Sequence, residues 1–154
     1  MKYEILLLGK TKDSFLAEGI EEYTQRLKHY ADINLKLIKV KKNQGSDQVI
    51  IEREADLLLE NLTPSTYSIA LDSRGKQLSS KGLANKIDNF EKTGIRHISF
   101  IIGGPLGLSL RVLEKANLSI SLSKMTFTHD MVRMLLVEQL YRAHTILNGG
   151  KYHK

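Results

Sequence analysis

Gly103-Gly104-Pro105-Leu106-Gly107 follows the apolar run His97–Ile102, and its composition suits close contact with a ligand. Ligands of open α/β sheets bind outside the carboxyl ends of the strands. Glycines there let the backbone approach a bound group, and Pro105 stiffens the turn. The spacing is not G-x-G-x-x-G, and no Gly-Lys-Ser/Thr follows, which excludes the dinucleotide and P-loop readings. A phosphate-free group such as an adenosyl moiety, held by backbone atoms and apolar walls, fits better. A plain tight turn has the same composition. The second segment of interest is Ser121-Leu122-Ser123-Lys124-Met125-Thr126-Phe127. At a strand end it offers backbone N–H and C=O groups to a pocket. The alternative is a loop whose Met125 and Phe127 plug the core.

Charge enters near the C-terminus. Arg133 and Arg142 interrupt an otherwise apolar stretch, with Glu138 between them. Glu138 and Arg142 are four residues apart and can pair; Arg133 shows no such partner. A guanidinium beside a pocket can bind phosphate or stabilise an anionic base as charge develops. His129 opens the same stretch, as a capping or core residue or as a base. Tyr152-His153-Lys154 reads as a frayed tail, or as an aromatic, an imidazole and an ammonium able to stack on a base and meet phosphate. No His/Asp/Glu grouping has metal-ligand spacing, and no Ser-His-Asp arrangement stands out.

Alternating strand and helix patterns must position these groups. Apolar periodicity predicts strands over Tyr3–Leu8, Ile33–Val40, Tyr67–Leu71, His97–Ile102 and Leu118–Leu122. It predicts helices over Ser14–Tyr30, from Ser46 or Asp47 to Pro64, from about Ser80 to Gly94, over Ser109–Ala116 and over Thr128–Asn148. Lys41–Gly45 and Asp72–Lys76 read as polar turns. The alternation predicts an α/β sandwich with a mostly parallel sheet, and 154 residues without linker or repeat predict a single domain, 1–154. The last helix is apolar nearly all round and needs burial on two sides. Its own sheet covers one; the other is predicted to meet a second copy, giving a C2 dimer.

Composition narrows the class. Hydrophobic residues make up 42% and charged residues 26%, which excludes a disordered, collagenous or rod-like chain. There is no cysteine, which removes disulfides and thiolate metal sites and suits a reducing cytoplasm. No apolar run approaches a membrane span, and the N-terminal run is too short for a signal peptide. The formal net charge is +6. Residues 1–60 hold 10 Lys/Arg and 11 Asp/Glu, whereas residues 61–154 hold 13 and 6. A basic half beside a neutral half is the footprint of a polyanion binder, or a charge that serves solubility. With no run of like charges to form a flexible arm, a nucleic acid would meet a folded surface.

Several segments together resemble one family. Gly9-Lys10, Leu71-Asp72-Ser73-Arg74-Gly75-Lys76, Phe100 through Leu108 and Ser121 through Lys154 closely resemble the bacterial ribosomal RNA large-subunit methyltransferase H family, small SPOUT-class enzymes. Thr128 stands where many members carry proline; either residue opens a helix. The resemblance implies a SPOUT-type fold with a C-terminal trefoil knot, which the sequence pattern alone would not suggest. It implies S-adenosyl-L-methionine as methyl donor, without metal. The implied target is N3 of a pseudouridine in 23S ribosomal RNA of assembled ribosomes, and the implied assembly is a homodimer. Carried over by position, the cofactor is expected at Leu71, Gly103 and Leu122, Ser123, Lys124, Met125, Thr126 and Phe127. N3 of pseudouridine must lose its proton before it attacks, so a base and a cation are needed. The cation is expected to be Arg133 or Arg142, with Tyr152 and His153 docking substrate and His153 preferred to His129 as base. Rival readings are a non-catalytic RNA- or ribosome-binding factor, and a SPOUT methyltransferase acting on transfer RNA.

Overall fold

The computed structural model describes residues 1–41 and 44–154. Five strands alternate with five helices: β1 (Lys2–Leu8), α1 (Ser14–Leu27), β2 (Asp32–Ile38), α2 (Asp47–Asn61), β3 (Tyr67–Gln77), α3 (Ser80–Lys92), β4 (His97–Ile102), α4 (Leu110–Lys115), β5 (Leu118–Ser121) and α5 (His129–Leu147). The turn expected over Lys41–Gly45 includes Lys42 and Asn43, which lie outside the described residues. The strands form one sheet in the order β2-β1-β4-β3-β5, every neighbouring pair parallel.

Pleating sorts the strand residues between two apolar layers. Tyr3, Ile5 and Leu7 of β1, with Ile98, Phe100 and Ile102 of β4, pack against Leu27 of α1, Leu83 and Ile87 of α3, and Leu136 and Leu140 of α5. Leu6, Leu8 and Ile101 turn to the other face, against Ala55 and Leu58 of α2 and Val112 of α4. Because β1 and β4 are covered on both faces, they read as unbroken apolar runs, as strands of parallel sheets do. Glu4 of β1 and Ser99 of β4 are buried polar exceptions, and they meet. The Glu4 carboxylate accepts from Thr63 Oγ1 at 2.8 Å and from Ser99 Oγ at 3.3 Å.

Side-chain oxygens open four of the helices: Ser46, Ser79, Ser109 and Thr128 accept from Val49, Gly82, Arg111 and Met131 N–H groups. Two boundaries depart from expectation. Helix α1 stops at Leu27, since His29 and Tyr30 N–H bond three residues back and tighten the chain out of the helix. Strand β3 does not end at Leu71. Leu71 and Lys76 both take Ile120 as ladder partner, so the expected turn at Asp72–Lys76 is an irregular excursion within a longer strand. Gly75 returns so close that a Cβ there would lie 2.6–2.8 Å from Ile120 backbone atoms.

Helix α5 fills the groove between α1 and α3, burying Leu136, Val137, Leu140 and Ala143. Gly19 of α1 receives Met134, whose sulfur would sit 2.8 Å from a Cβ at that position. Two flanking helices thus cover part of the α5 surface that does not face the sheet. Met131, Leu147 and, on α1, Phe15 stay exposed.

Candidate functional site

In a parallel sheet every strand-to-helix loop leaves at one end, and three of those loops enclose a cavity of about 610 Å³. The β3 excursion contributes Leu71 and Asp72, the β4 loop contributes Gly103 to Pro105, and the β5 segment contributes Leu122, Ser123, Met125, Thr126 and Phe127. Thr128, His129 and Val132 close it from the first turn of α5. Seven of the eight expected cofactor positions therefore line one cavity. Lys124 is the eighth; it is exposed and absent from the wall.

Local chemistry explains the loops. A Cβ on Gly103 would lie 2.8 Å from Gly107 O, a backbone atom that cannot swing away. On Gly104 it would lie 2.7 Å from the Glu54 carboxylate. Gly107 holds φ +86°, the left-handed region that favours glycine, and its N–H closes the turn on Gly104 O at 3.0 Å. In the β5 segment Ser121 Oγ donates to Ser123 O at 2.7 Å, and Ser123 Oγ accepts from Met125 N–H at 2.9 Å. Met125 is 74% exposed at the cavity mouth, so it is no core plug.

Two titratable groups in the wall fall outside the expected site. The Asp72 carboxylate accepts from the Arg74 N–H at 2.9 Å and from its guanidinium at 2.8 and 3.0 Å. Those side-chain bonds hold its pKa below the ordinary carboxylate range and keep it ionised. His129 has its pKa lowered, chiefly by burial, although Asp130 at 3.2 Å acts in the opposite direction. At neutral pH it is an uncharged imidazole able to accept a proton. Asp72 lies inside the Leu71–Lys76 motif, and no sequence signal shows that His129 faces the cavity.

The remaining expected residues lie elsewhere. Arg133 is 1% exposed and donates to Leu8 O at 2.7 Å, Gly9 O at 3.1 Å and Thr11 Oγ1 at 3.1 Å. Asp130, one turn earlier, pairs with it at 3.2 Å and accepts from Lys12 N–H at 2.9 Å. Arg133 does have a partner on its own helix, contrary to expectation, and burial lowers its pKa. It binds the β1–α1 loop to α5 from outside the cavity wall. Arg142 sits about 20 Å along α5 from His129, at a 1.5 Å rise per residue. Its Nε donates to Glu138 at 3.0 Å, and its guanidinium lies 4.6 Å from the Tyr152 ring centroid. Tyr152 Oη donates to Glu138 at 3.0 Å and lies 3.1 Å from Tyr23 Oη. Burial and these hydrogen bonds raise its pKa and keep the phenol protonated. Arg142 and Tyr152 are thus brought together, while neither they nor His153 line the cavity.

Among the described residues no His, Asp or Glu side chains are grouped to hold a metal ion, and no helix is long and apolar enough to cross a membrane. Residues 1–153 match the family described as predicted SPOUT methyltransferase. The chain is 57% identical over 154 residues to the ribosomal RNA large subunit methyltransferase H of Desulfotalea psychrophila, covering both chains fully. It is 42% identical over 159 residues to the protein of that name from Halothermothrix orenii, again covering both. Among solved structures it is similar in fold to a probable methylase family protein from Haemophilus influenzae, with TM-score 0.54 and 16% identity over 99% of this chain and 70% of that one. A probable methyltransferase from Bordetella pertussis gives TM-score 0.54 at 12% identity, covering 93% and 96%.

Proposed function

This chain belongs to the SPOUT methyltransferase family, and on that premise we propose that it methylates large-subunit ribosomal RNA with S-adenosyl-L-methionine as donor. The target we propose is N3 of a pseudouridine in 23S ribosomal RNA, met on the assembled ribosome in the cytoplasm. One observation carries this reading: three strand-end loops and the start of α5 converge on a single cavity.

The cavity suits that donor chemically. Leu71, Leu122 and Phe127 give apolar surface for an adenine ring, and the backbone of Leu122, Ser123, Met125, Thr126 and Phe127 offers hydrogen bonds to its edge. Gly103 allows close approach beside them. When bound, S-adenosylmethionine supplies a methyl group activated on a sulfonium. The ionised Asp72 suits such a cation and does not suit a phosphate.

The chain must then orient the base and remove the N3 proton. Two imidazoles are available for that proton: His129 in the cavity wall, and His153 on the tail. Arg142 and Tyr152 are fixed far along α5, so we place their action, with that of His153, at the cavity of a second copy packed antiparallel along α5. The exposed Phe15, Met131 and Leu147 support such a homodimer. Arg133, buried in its own network, acts by positioning the β1–α1 loop. We also propose that the C-terminal segment is threaded as a trefoil knot. The sharing of Ile120 by Leu71 and Lys76, with Gly75 against its backbone, supports this reading.

Calorimetry with S-adenosylmethionine and methylation of purified subunits and assembled ribosomes test the proposal together. Binding near one donor per cavity and methyl transfer to 23S RNA are expected. No heat would leave a non-catalytic RNA-binding factor. Loss of a transfer RNA modification, in nucleosides from cells lacking the protein, would move the substrate to that class.

A further inference from the structure

The end of the sheet that holds the cavity also gathers cations that a count by sequence halves conceals. Lys10 and Lys12 follow β1, Lys39 and Lys41 follow β2, Lys76 lies near the end of β3 and Lys124 follows β5. All six are exposed. Among the described residues none of them forms an ion pair. Four come from the first 60 residues, whose summed charge is slightly negative. Parallel topology, which sends every strand to the same end, brings them beside the basic loops of the second half.

Nearby acids do little to cancel them. Asp72 is bonded to Arg74, and Asp130 is held by Arg133 and the Lys12 N–H. Asp13 and Asp47 remain as exposed acids at this end. The glutamates of α1 lie along a helix that runs away from the cavity, and Glu52 and Asp56 of α2 are paired with Arg111. In the sheet order, β1 neighbours β4 and β2 lies beyond it. At about 4.8 Å per strand, the lysine loops stand roughly one and two strand spacings from the Gly103 loop.

We infer that Lys10, Lys12, Lys39 and Lys41 form a phosphate track running outward from the cavity mouth, on which the RNA backbone beside the target nucleotide lies. Lys76 and Lys124 flank the opposite side of the mouth. Lysine ammonium groups on flexible stems act as point charges for phosphate without reading base identity, so the track sets position and attraction. This rests on the reading above that the substrate is ribosomal RNA, and it names the surface that receives it.

The test is equilibrium binding of the full-length protein to a 23S ribosomal RNA transcript and to intact ribosomes across a salt series. Wild type is compared with K10E/K12E/K39E/K41E. The control is K28E/K115E, two exposed lysines at the other end of the sheet. The quadruple variant is expected to keep its thermal midpoint and its S-adenosylmethionine affinity within twofold. Its RNA affinity should fall at least tenfold, and its log–log salt slope should become shallower by about 2 to 3, at roughly 0.7 per lost contact. The control should change less than twofold. Unchanged RNA affinity and slope in the quadruple variant, or an equal loss in the control, overturns the track. Should the quadruple variant fold poorly, the pairs K10A/K12A and K39A/K41A are each expected to lose about half of that slope change, and no loss in either overturns it. Because binding is read without turnover, a wild type that binds RNA but never methylates it would sink the enzymatic reading and leave this result standing.

Discussion

Arg133 donates to the carbonyl of Leu8 at 2.7 Å, across 125 residues of sequence, and so fastens the last helix to the end of β1. Gly9 O and Thr11 Oγ1 take its other nitrogen, and Asp130 balances its charge. A buried cation answering two strand-end carbonyls and a carboxylate is expensive to remove, since each partner then loses its donor in a place water does not reach.

R133M should therefore destabilise the protein by on the order of 3–5 kcal/mol, the range for breaking one side of a buried ion pair. R133K keeps the charge without the forked geometry and should recover part of the loss. Denaturant midpoints read both. A wild-type midpoint in R133M combined with lost methylation would return Arg133 to the reaction itself.

Tyr3 Oη and His144 Nε2 lie 2.8 Å apart in the core, and burial lowers the histidine pKa. The folded ring is neutral, while in the unfolded chain it protonates near pH 6.5. Below that pH the unfolded chain binds more protons than the folded one, so stability falls on acidification. His129, lowered for the same reason, adds in the same direction. Thermal midpoints should drop from pH 7 to pH 5, and less steeply in H144Q. Parallel curves for the two proteins would refute this assignment.

Gly103 and Gly104 differ in what opposes a side chain. At Gly103 the obstacle is backbone, whereas at Gly104 it is the end of a side chain, the buried Glu54 carboxylate. G103A should weaken S-adenosylmethionine binding at least tenfold, about 1.4 kcal/mol, and G104A clearly less. Calorimetry orders the two; equal losses would mean that the loop yields as a unit.

Tyr152, held by Glu138 and Tyr23, belongs to a tail that does not line the cavity of its own copy. Removing residues 152–154 should leave donor affinity intact and abolish methyl transfer. Mixing that truncated protein with G103A should restore a fraction of activity, because one copy then supplies the intact cavity and the other the intact tail. Mixtures as inactive as their components would exclude sharing between copies.

Much of this was legible in the sequence because periodicity and breakers are local. The β4 run into Gly103 and the serines that cap α2 and α4 are each visible within a dozen residues. Sheet position of the loops followed from alternation, which is why Leu71, Gly103 and Leu122 meet. Most of the rest depends on distant partners. Two acceptors of Arg133, Leu8 O and Gly9 O, are backbone atoms far away in the chain, although its carboxylate partner Asp130 stands only three residues earlier. Lys124 reads like its neighbours in the sequence, yet it alone of residues 121–128 does not line the cavity. The role of α1 and α3 around α5 needed the packed layer, as Met134 seated on Gly19 illustrates.

The placement of β1 inside the sheet, between β2 and β4, has a consequence for biosynthesis. Its second neighbour, β4, pairs with it across a separation of 95 residues, as the Glu4–Ser99 contact records. At about 5–20 residues per second, a nascent chain carries β1 with one apolar edge uncovered for roughly 5 to 20 s. During that interval Ile5 to Leu8 form a sticky half-sheet, and chaperone capture or slowed translation before His97 would govern the yield of native protein.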